Sequence, residues 1–409
     1  MDGQIQNGLN MIKRFTSFVK ANKRTFLVLL IGLISLFCFN VTKNGIGQEI
    51  FGWLRLWKYL SLLLLLVCIY ILFLKGKRVI LANVTLIALL IMLLETSLFF
   101  VLGMPSAFKK DFSVPDLPEN HIARQVGMTY YADSVYHDIK VNGRDTVFDV
   151  HYSIDHMNKR ITPGFDSTKK NYALFFGCSI GFGYGLEDNQ TLAYQVQEQE
   201  KSTNAYNFSI SGTGTNHMLA EIQYRDLSKQ VAEKDGVAYY IFFWDHLYRA
   251  IGTMTRYTEW LHLAPYYKME NGKLVRHKLF KDGRPFISSM YERLYQTNIV
   301  KYFEADLPLR LNDRHYDLVT EMVLETKKAY QKQFGNDKFY LVIYPNYVAY
   351  TPEQMQIFKS YLKKKKIKFI DLSQKIVYQG KYTLPGDAHP NAETNKLMAK
   401  YLLQETTKL

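Results

Sequence analysis

The chain has 409 residues with 51 Lys+Arg and 37 Asp+Glu, a formal net charge of +14, and 48% hydrophobic residues. This length leaves room for two or three domains, and the apolar composition excludes a disordered chain. Three cysteines, two of them in strongly apolar runs, exclude a secreted scaffold held together by disulfides.

The positive charge is concentrated at the start of the chain. Residues 1–108 carry 11 Lys+Arg and 3 acidic residues, a net charge of +8, which leaves +6 for the rest. A nucleic-acid-binding protein would show a basic stripe interleaved with exposed aromatic residues, whereas these basic residues flank hydrophobic runs. The charge pattern therefore indicates a membrane topology signal, and no nucleic acid is expected as a partner.

Three long apolar runs open the chain and predict a membrane anchor over residues 1–104. They predict transmembrane helices at about 25–41, 57–74 and 79–103, because a helix of about 20 residues crosses the hydrocarbon core. The basic leader and the Lys75–Arg78 turn are expected on the cytoplasmic side by the positive-inside rule. This predicts a multi-pass protein of the cytoplasmic (inner) membrane, a lipid bilayer as partner, and export of the rest to the periplasmic side.

Glu95 lies well inside the third apolar run. An ionisable residue is costly there, which makes a functional role one interpretation. The other interpretation is that Glu95 faces the neighbouring helices and organises their packing. Both stay open at the level of sequence.

After a linker and a strand-rich entry region over residues 105–170, residues 171–409 alternate between short β-rich runs and amphipathic helical patterns. Strands are predicted at Tyr172–Phe176, Ala205–Ile210, Val237–Phe243, Phe339–Tyr344 and Lys368–Leu372. Helices are predicted near 190–200, 216–234, 318–334, 352–366 and 391–406. This alternation is typical of an α/β fold with a doubly wound parallel sheet. Residues 250–315 break the rhythm and are interpreted as an insertion.

In such a sheet, sites form at the carboxyl ends of the strands. The first strand ends in a glycine-rich turn that contains Ser179, where a hydroxyl can be exposed as a nucleophile and the amide can be free to donate. An ordinary serine in a tight turn is the alternative, and a phosphate cradle is weakly supported because no Gly-Lys-Ser/Thr ending follows. Of the adjacent pair, Cys178 is expected to point into the sheet.

The next two strands are also followed by candidate site residues. Gly212 lies in a glycine-containing loop whose backbone amide can approach a reacting carbonyl oxygen closely. Asp245 and His246 form part of a polar cluster directly after the third strand. Ordinary loop structure and helix capping are the alternatives for each of these groups.

The last predicted helix is preceded by Asp387, Ala388, His389 and Pro390. Proline suits the first turn of a helix, which holds the histidine at the sheet edge. An imidazole oriented by a carboxylate is the base that a serine hydroxyl needs. Metal binding competes for an Asp-x-His pair, but the spacing offers no third ligand, and neither a metal nor a cofactor is expected.

At these residues the chain resembles the SGNH or GDSL hydrolase superfamily, in particular its membrane-anchored bacterial members. Phe175–Gly183, Asn207–Gly212 and Asp387–Asn391 are similar to the first, second and last sequence blocks of that family. The resemblance covers about residues 148–405 and implies a flavodoxin-like fold. It implies Ser179 as nucleophile, His389 as base, Asp387 as acid, and the amides of Ser179 and Gly212 as oxyanion donors.

The third block departs from the family pattern. Where the family has Gly-x-Asn-Asp, this chain has Phe243-Trp244-Asp245-His246, so Asp245 takes the place of the asparagine. An ionised carboxylate only accepts hydrogen bonds and makes a poor oxyanion donor. Either the oxyanion hole relies on the Ser179 and Gly212 amides plus another group, such as His246 or Asn216, or activity is reduced.

The sequence thus predicts a membrane-anchored serine esterase or O-acyltransferase that acts on acyl or acetyl esters of an envelope glycan or lipid. A membrane acyltransferase or a polysaccharide-assembly protein is the expected kind of partner. The aromatic residues Trp260, Tyr266 and Tyr267 of the insertion would suit a glycan, or form a packing layer. The alternative function is a catalytically weak scaffold or binding subunit of an envelope polysaccharide assembly.

Overall fold

The computed structural model describes residues 48–75, 78–102, 125–345, 349–376 and 380–408. The chain divides into two compact units. The first comprises Met1–Asp111 together with Leu294–Ala305, and the second comprises Phe112–Arg293 and Asp306–Leu409. The predicted transmembrane helix at 25–41 lies outside the described residues.

Strands and helices alternate along the second unit much as the sequence predicts, and the elements of both units are numbered together in chain order. The strands are β1 Ser134–Asn142, β2 Asp145–Ile154, β3 Asn171–Gly177, β4 Thr203–Asn207, β5 Asp235–Phe242, β6 Pro265–Glu270, β7 Lys273–Leu279, β8 Phe339–Ile343 and β9 Phe369–Asp371. The α-helices are α1 Gln48–Lys75, α2 Val79–Leu102, α3 Ser179–Phe182, α4 Leu192–Gln199, α5 Thr215–Tyr224, α6 Asp245–Ile251, α7 Met254–Glu259, α8 Phe280–Gly283, α9 Pro285–Tyr295, α10 Asn298–Tyr302, α11 Asp313–Phe334, α12 Pro352–Lys364 and α13 Ala392–Thr406.

The prediction of three transmembrane helices needs correction. Among the described residues, α2 is the one helix long and apolar enough to cross a membrane. The second predicted span lies within α1, but its apolar stretch, Lys58–Ile71, is shorter. It falls below the length of about 20 residues that the hydrocarbon core requires.

Five parallel strands form the sheet of the second unit, in the order β4-β3-β5-β8-β9. Numbered along the chain these strands run 2-1-3-4-5, the flavodoxin-like order, which confirms the predicted parallel α/β sheet. Successive residues of β3 pack into different hydrophobic clusters. Leu174 and Phe176 belong to one, whereas Ala173 and Phe175 belong to the other. Each cluster includes residues of the flanking helices, so the sheet is covered on both faces.

The helix predicted at 216–234 ends early, at Tyr224. A side chain from α11 accounts for the end. The Gln333 amide donates to the carbonyls of Ile222 and Arg225 and accepts from the Leu227 amide. Because this tertiary contact satisfies the carbonyls at the end of the helix, the chain can leave α5 and bury Leu227 in the core.

The β1–β2 hairpin belongs to the same compact unit as the parallel sheet. A third cluster joins its residues Phe148 and Tyr152 to Phe182, which follows the end of β3, and to Leu384, which precedes the last helix. The hairpin therefore packs against both segments in which the sequence places candidate site residues. Residues 250–315 lie between β5 and β8 and contain the antiparallel β6–β7 hairpin.

Glu95 of α2 is buried within the first unit and binds the start of α10. Its carboxylate accepts the backbone N–H of Asn298 at 2.6 Å and that of Ile299 at 2.9 Å. The Tyr59 hydroxyl donates to the same carboxylate at 3.1 Å. A negative group at a helix N-terminus satisfies amides that have no intrahelical partner. The structure therefore gives Glu95 a packing role, the second of the two interpretations.

We expect Glu95→Ala to release the Leu294–Ala305 segment, because two buried amides lose their acceptor at a cost of about 1–3 kcal/mol each. Limited proteolysis of the full chain in detergent should give new cleavage in this segment. Ser97→Ala, on an exposed position of the same helix, serves as the control. Unchanged cleavage of both variants would contradict the role.

Candidate active site

Ser179 follows β3 at the point where the chain turns from the sheet into the short helix α3. It is the first residue of that helix, so its backbone N–H has no intrahelical partner. Cys178 is completely buried in a core cluster beneath the sheet, as predicted. Gly181 is required for this turn, because a Cβ there would come within 2.4 Å of the Ser209 hydroxyl.

The structure brings Ser179, His389 and Asp387 into one hydrogen-bonded chain. The Ser179 Oγ lies 2.8 Å from His389 Nε2, and His389 Nδ1 lies 2.5 Å from Asp387 Oδ1. The backbone N–H of His389 also donates to Oδ1, at 2.7 Å. A carboxylate carries no proton to donate, so Nδ1 is the protonated nitrogen and Nε2 accepts from the serine. The imidazole is thus oriented to take the hydroxyl proton.

Asp387 is held in its ionised form although its side chain is only 5% exposed. Burial acts to raise the pKa of Asp387, but hydrogen bonds from His389, the electrostatic interaction with that ring and a hydrogen bond from Lys140 together hold the pKa well below its usual range. Lys140 of β1 lies with its Nζ 2.5 Å from Asp387 Oδ2. Sequence reasoning missed this lysine, because 247 residues separate it from the aspartate.

The loop after β4 places Gly212 beside the same end of the sheet. The Thr213 hydroxyl donates to the Gly177 carbonyl, and the Ile210 amide donates to the same oxygen at 3.1 Å. Gly212 has a φ of +80°, a left-handed conformation that favours glycine. Its carbonyl accepts a hydrogen bond from Trp260 Nε1 at 2.9 Å, which fixes the orientation of the loop.

The structure does not bring Asp245 and His246 to the serine through any described hydrogen bond. Asp245 forms ion pairs with Arg249 and Arg256, at 2.6 and 2.9 Å. Burial acts to raise the pKa of Asp245, but these two arginines outweigh it and lower the pKa. An aspartate in this state remains an acceptor, so it does not supply the donor that the third block provides in the family.

His246 and Asn216 are engaged elsewhere. His246 is fully buried, its Nδ1 lies 2.7 Å from the Tyr240 hydroxyl, and burial lowers its pKa well below the usual value. The Asn216 amide donates to the Pro265 carbonyl at 2.7 Å. Neither side chain contacts Ser179 in the described structure.

Arg160 is a second residue that sequence reasoning missed. Its guanidinium is buried and donates to the carbonyls of Phe182, Gly183 and Leu186, the turn that follows Ser179. It also forms an ion pair with Asp188 at 2.9 Å. Carbonyls that leave a short helix need donors, and one planar guanidinium supplies several at fixed angles. No short-range pattern marks such a residue.

Two of the aromatic residues singled out in the insertion pack against other side chains of the protein. Tyr267 is buried and its hydroxyl donates to Gln223. Tyr266 packs against Phe280 with ring centroids 5.1 Å apart. These contacts agree with a packing layer. Within the described part of the chain, no group of three or more His, Cys, Asp or Glu side chains could hold a metal ion.

Comparison with known proteins finds similarity at the level of structure alone. No protein-family profile and no curated protein sequence matches the chain. Similar solved structures include the esterase EstA from Pseudoalteromonas sp. (14% identity, TM-score 0.33, 58% of this chain and 98% of that one). A lipolytic protein of the G-D-S-L family from Veillonella parvula has 14% identity and a TM-score of 0.32, covering 58% of this chain and 100% of that one.

AlinE4, an SGNH-hydrolase family esterase, has 12% identity and a TM-score of 0.33, covering 59% of this chain and 98% of that one. Two of these three proteins are named for the GDSL and SGNH families, which the sequence blocks resemble.

We expect Asp245→Asn to destabilise the second unit, even though it restores the residue type of the family's third block. The substitution leaves the buried charge of Arg249 without its carboxylate, which costs about 3 kcal/mol. Thermal unfolding of the full chain in detergent measures the loss. Asp226→Asn, in an exposed pair with Lys229, should change little, and equal midpoints for the two variants would refute the structural role.

We expect Arg160→Met to lower stability by about 4 kcal/mol, because the Asp188 carboxylate and three carbonyls lose their donor together. The same unfolding measurement applies. Arg144→Met, at an exposed position of the β1–β2 hairpin, removes a positive charge without these contacts and should match the wild type. A stable Arg160→Met protein would show that the turn after Ser179 does not depend on the guanidinium.

Proposed function

We propose that this protein is a serine hydrolase that cleaves carboxylic esters. The single observation that carries the proposal is the continuous hydrogen-bonded chain from Ser179 through His389 to Asp387 at the carboxyl end of the sheet. A nucleophile, a base and a group that orients the base are the three parts that acyl transfer through a serine requires.

The proposed reaction begins when the Ser179 oxygen attacks the ester carbonyl and His389 Nε2 takes the hydroxyl proton. The imidazolium then gives this proton to the leaving alcohol, and the acyl group remains on the serine. Water, or the hydroxyl of an acceptor, then attacks the acyl-enzyme with His389 again as base. The bond from the acyl group to the Ser179 oxygen breaks, and His389 returns the proton to the serine. Asp387 stabilises the imidazolium in both steps and keeps its own charge.

Backbone amides are the proposed oxyanion donors. The Ser179 N–H is free of helical partners at the start of α3. The Gly212 N–H lies in the loop that Thr213 and Ile210 dock onto Gly177. Two preorganised amides stabilise a developing oxyanion without a side-chain donor. The proposal therefore needs no oxyanion role for Asp245 or His246.

We further propose that the enzyme is anchored in the cytoplasmic membrane with its catalytic unit outside, where it acts on acyl esters of an envelope glycan or lipid. Helix α2 supports an anchor, because Ile80, Ile87 and Phe100 expose large apolar side chains to the surroundings. Such exposure is costly in water and favourable in lipid. The basic flanks of the apolar runs support the orientation.

Acyl release tests the activity. The full chain in detergent should liberate nitrophenol from nitrophenyl acetate and should be labelled by a fluorophosphonate probe. Ser179→Ala should abolish both, a loss of at least about 10³-fold. Ser228→Ala, an exposed serine, should leave both unchanged. A wild-type chain that neither labels nor hydrolyses would contradict the proposal and favour the scaffold.

Hydrolysis and transfer share the acyl-enzyme and differ in the group that resolves it. Incubation with a radiolabelled acetyl donor and a panel of sugars and lipids would separate them. Labelled free acetate alone indicates an esterase, whereas label on an acceptor indicates an O-acyltransferase. The orientation is tested with a C-terminal fusion to a reporter protein that functions only in the cytoplasm. Activity of this reporter would contradict placement of the catalytic unit outside the membrane.

A further inference from the structure

We propose that Lys140 of the β1–β2 hairpin is a positioning residue for Asp387 and thereby extends the catalytic chain to four members. The inference rests on the proposed serine hydrolase function. It adds a residue from outside the parallel sheet, in a region that the family resemblance does not reach.

The two oxygens of Asp387 have different partners. Oδ1 accepts from both the ring and the backbone of His389. Among the described residues, Oδ2 accepts a hydrogen bond from Lys140 alone, at 2.5 Å. With Lys140 in place the Asp387 side chain is 5% exposed, so bulk water has little access to its second oxygen. The ammonium therefore completes the coordination of the carboxylate.

Lys140 is placed for this contact by the hairpin. Its side chain is 40% exposed, so the ammonium reaches a nearly buried carboxylate from the solvent side. The register shifts between Lys140 and Val141, a bulge of the kind that redirects side chains. Asn142, two residues further along the strand, lies close to Gly386. A Cβ added to Gly386 would come within 2.9 Å of the side-chain amide nitrogen of Asn142. The hairpin thus contacts the loop that carries Asp387.

Packing on both sides keeps this geometry rigid. Phe148, which is paired with Lys140 across the hairpin, packs edge-on against Tyr184 with centroids 5.2 Å apart. The Tyr184 ring in turn lies 4.8 Å from that of His389. The Tyr152 hydroxyl accepts from the Gly185 amide at 2.9 Å and donates to Asp138. The hairpin therefore contacts both the turn after Ser179 and the loop that carries Asp387, and these contacts position Lys140 beside the aspartate.

The ammonium has two physical consequences for the base. It orients Oδ1 toward the imidazole, because a charge-assisted hydrogen bond at Oδ2 fixes the rotation of the carboxylate. The Lys140 ammonium also offsets part of the negative charge of Asp387, the charge that stabilises the His389 imidazolium. Near this pair, His389 bonds Asp387, the Tyr184 ring lies against that of His389, and Asp138 on the same strand interacts electrostatically with Lys140. Lys140 places a positive charge directly beside Asp387.

The test compares Lys140→Met, Lys140→Arg and wild type in the full chain in detergent. Lys140→Met should lower kcat for nitrophenyl acetate by about 10- to 100-fold, the loss of one charge-assisted hydrogen bond, with little change in KM. The acidic limb of its kcat/KM profile should move to higher pH, because an unpaired carboxylate stabilises the imidazolium more strongly. Lys140→Arg keeps the charge and should restore both in part.

A merely structural lysine would lower the melting temperature without moving the acidic limb. Lys201→Met, which removes a lysine from an exposed pair with Glu198, is the matched control and should leave kcat and the pH profile unchanged. Wild-type kcat and an unshifted limb in Lys140→Met would overturn the inference.

A second measurement does not depend on turnover. In a double-mutant cycle with Asp387→Asn, the shifts in melting temperature should be clearly non-additive, because each substitution removes the same pair. Additive shifts would overturn the inference even if the chain proved inactive. Absence of labelling and hydrolysis in the wild type would instead contradict the proposed function, so the two failures are distinguishable.

Discussion

An ionised carboxylate in a nearly closed site is the constraint on which the rest of the site depends. Asp387 is 5% exposed and needs a donor for each lone-pair direction that water cannot reach. His389 serves one oxygen with both its ring and its backbone, and Lys140 serves the other. The orientation of the imidazole toward Ser179 follows from this coordination, because the ring can only donate through the nitrogen that faces the aspartate.

The same requirement explains why the parallel sheet alone does not complete the site. The sheet brings the end of β3 and the segment that precedes α13 to one edge. Such an edge is where sites form in doubly wound folds. The donors that hold these segments come from outside it. Arg160 binds three carbonyls of the turn after Ser179, and Lys140 binds the acid. Both precede the first strand of the sheet in sequence, and both act on segments that the sheet presents.

The region after β5 shows how the fold accommodates a buried carboxylate. Asp245 stands where the family resemblance expects an asparagine, and two arginines neutralise it. Arg249 also donates to the Thr213 carbonyl, and Trp260 donates to that of Gly212. The side chains around Asp245 therefore brace the backbone of the loop that carries the proposed oxyanion amide. A negative charge beside an oxyanion would be unfavourable. The charge of Asp245 is instead paired with Arg249 and Arg256.

The sequence by itself determined the alternation of strands and helices and the parallel sheet, because periodicity is a local signal. It also singled out the three residues that the structure joins by hydrogen bonds, because a glycine-rich turn and an Asp-x-His pair before a proline are local signals. The third apolar run was also recognisable as one long apolar helix, since the length and composition of such a run are local properties. Only the tertiary structure decided the partners of Glu95 and the roles of Arg160 and Lys140. It also decided the early end of α5 at Tyr224, where Gln333 binds the last carbonyls. These contacts join residues far apart in the chain, and their energies come from burial and pairing that no local pattern contains. The fate of Asp245 belongs with them, because whether a carboxylate serves chemistry or structure depends on which charges the fold brings beside it.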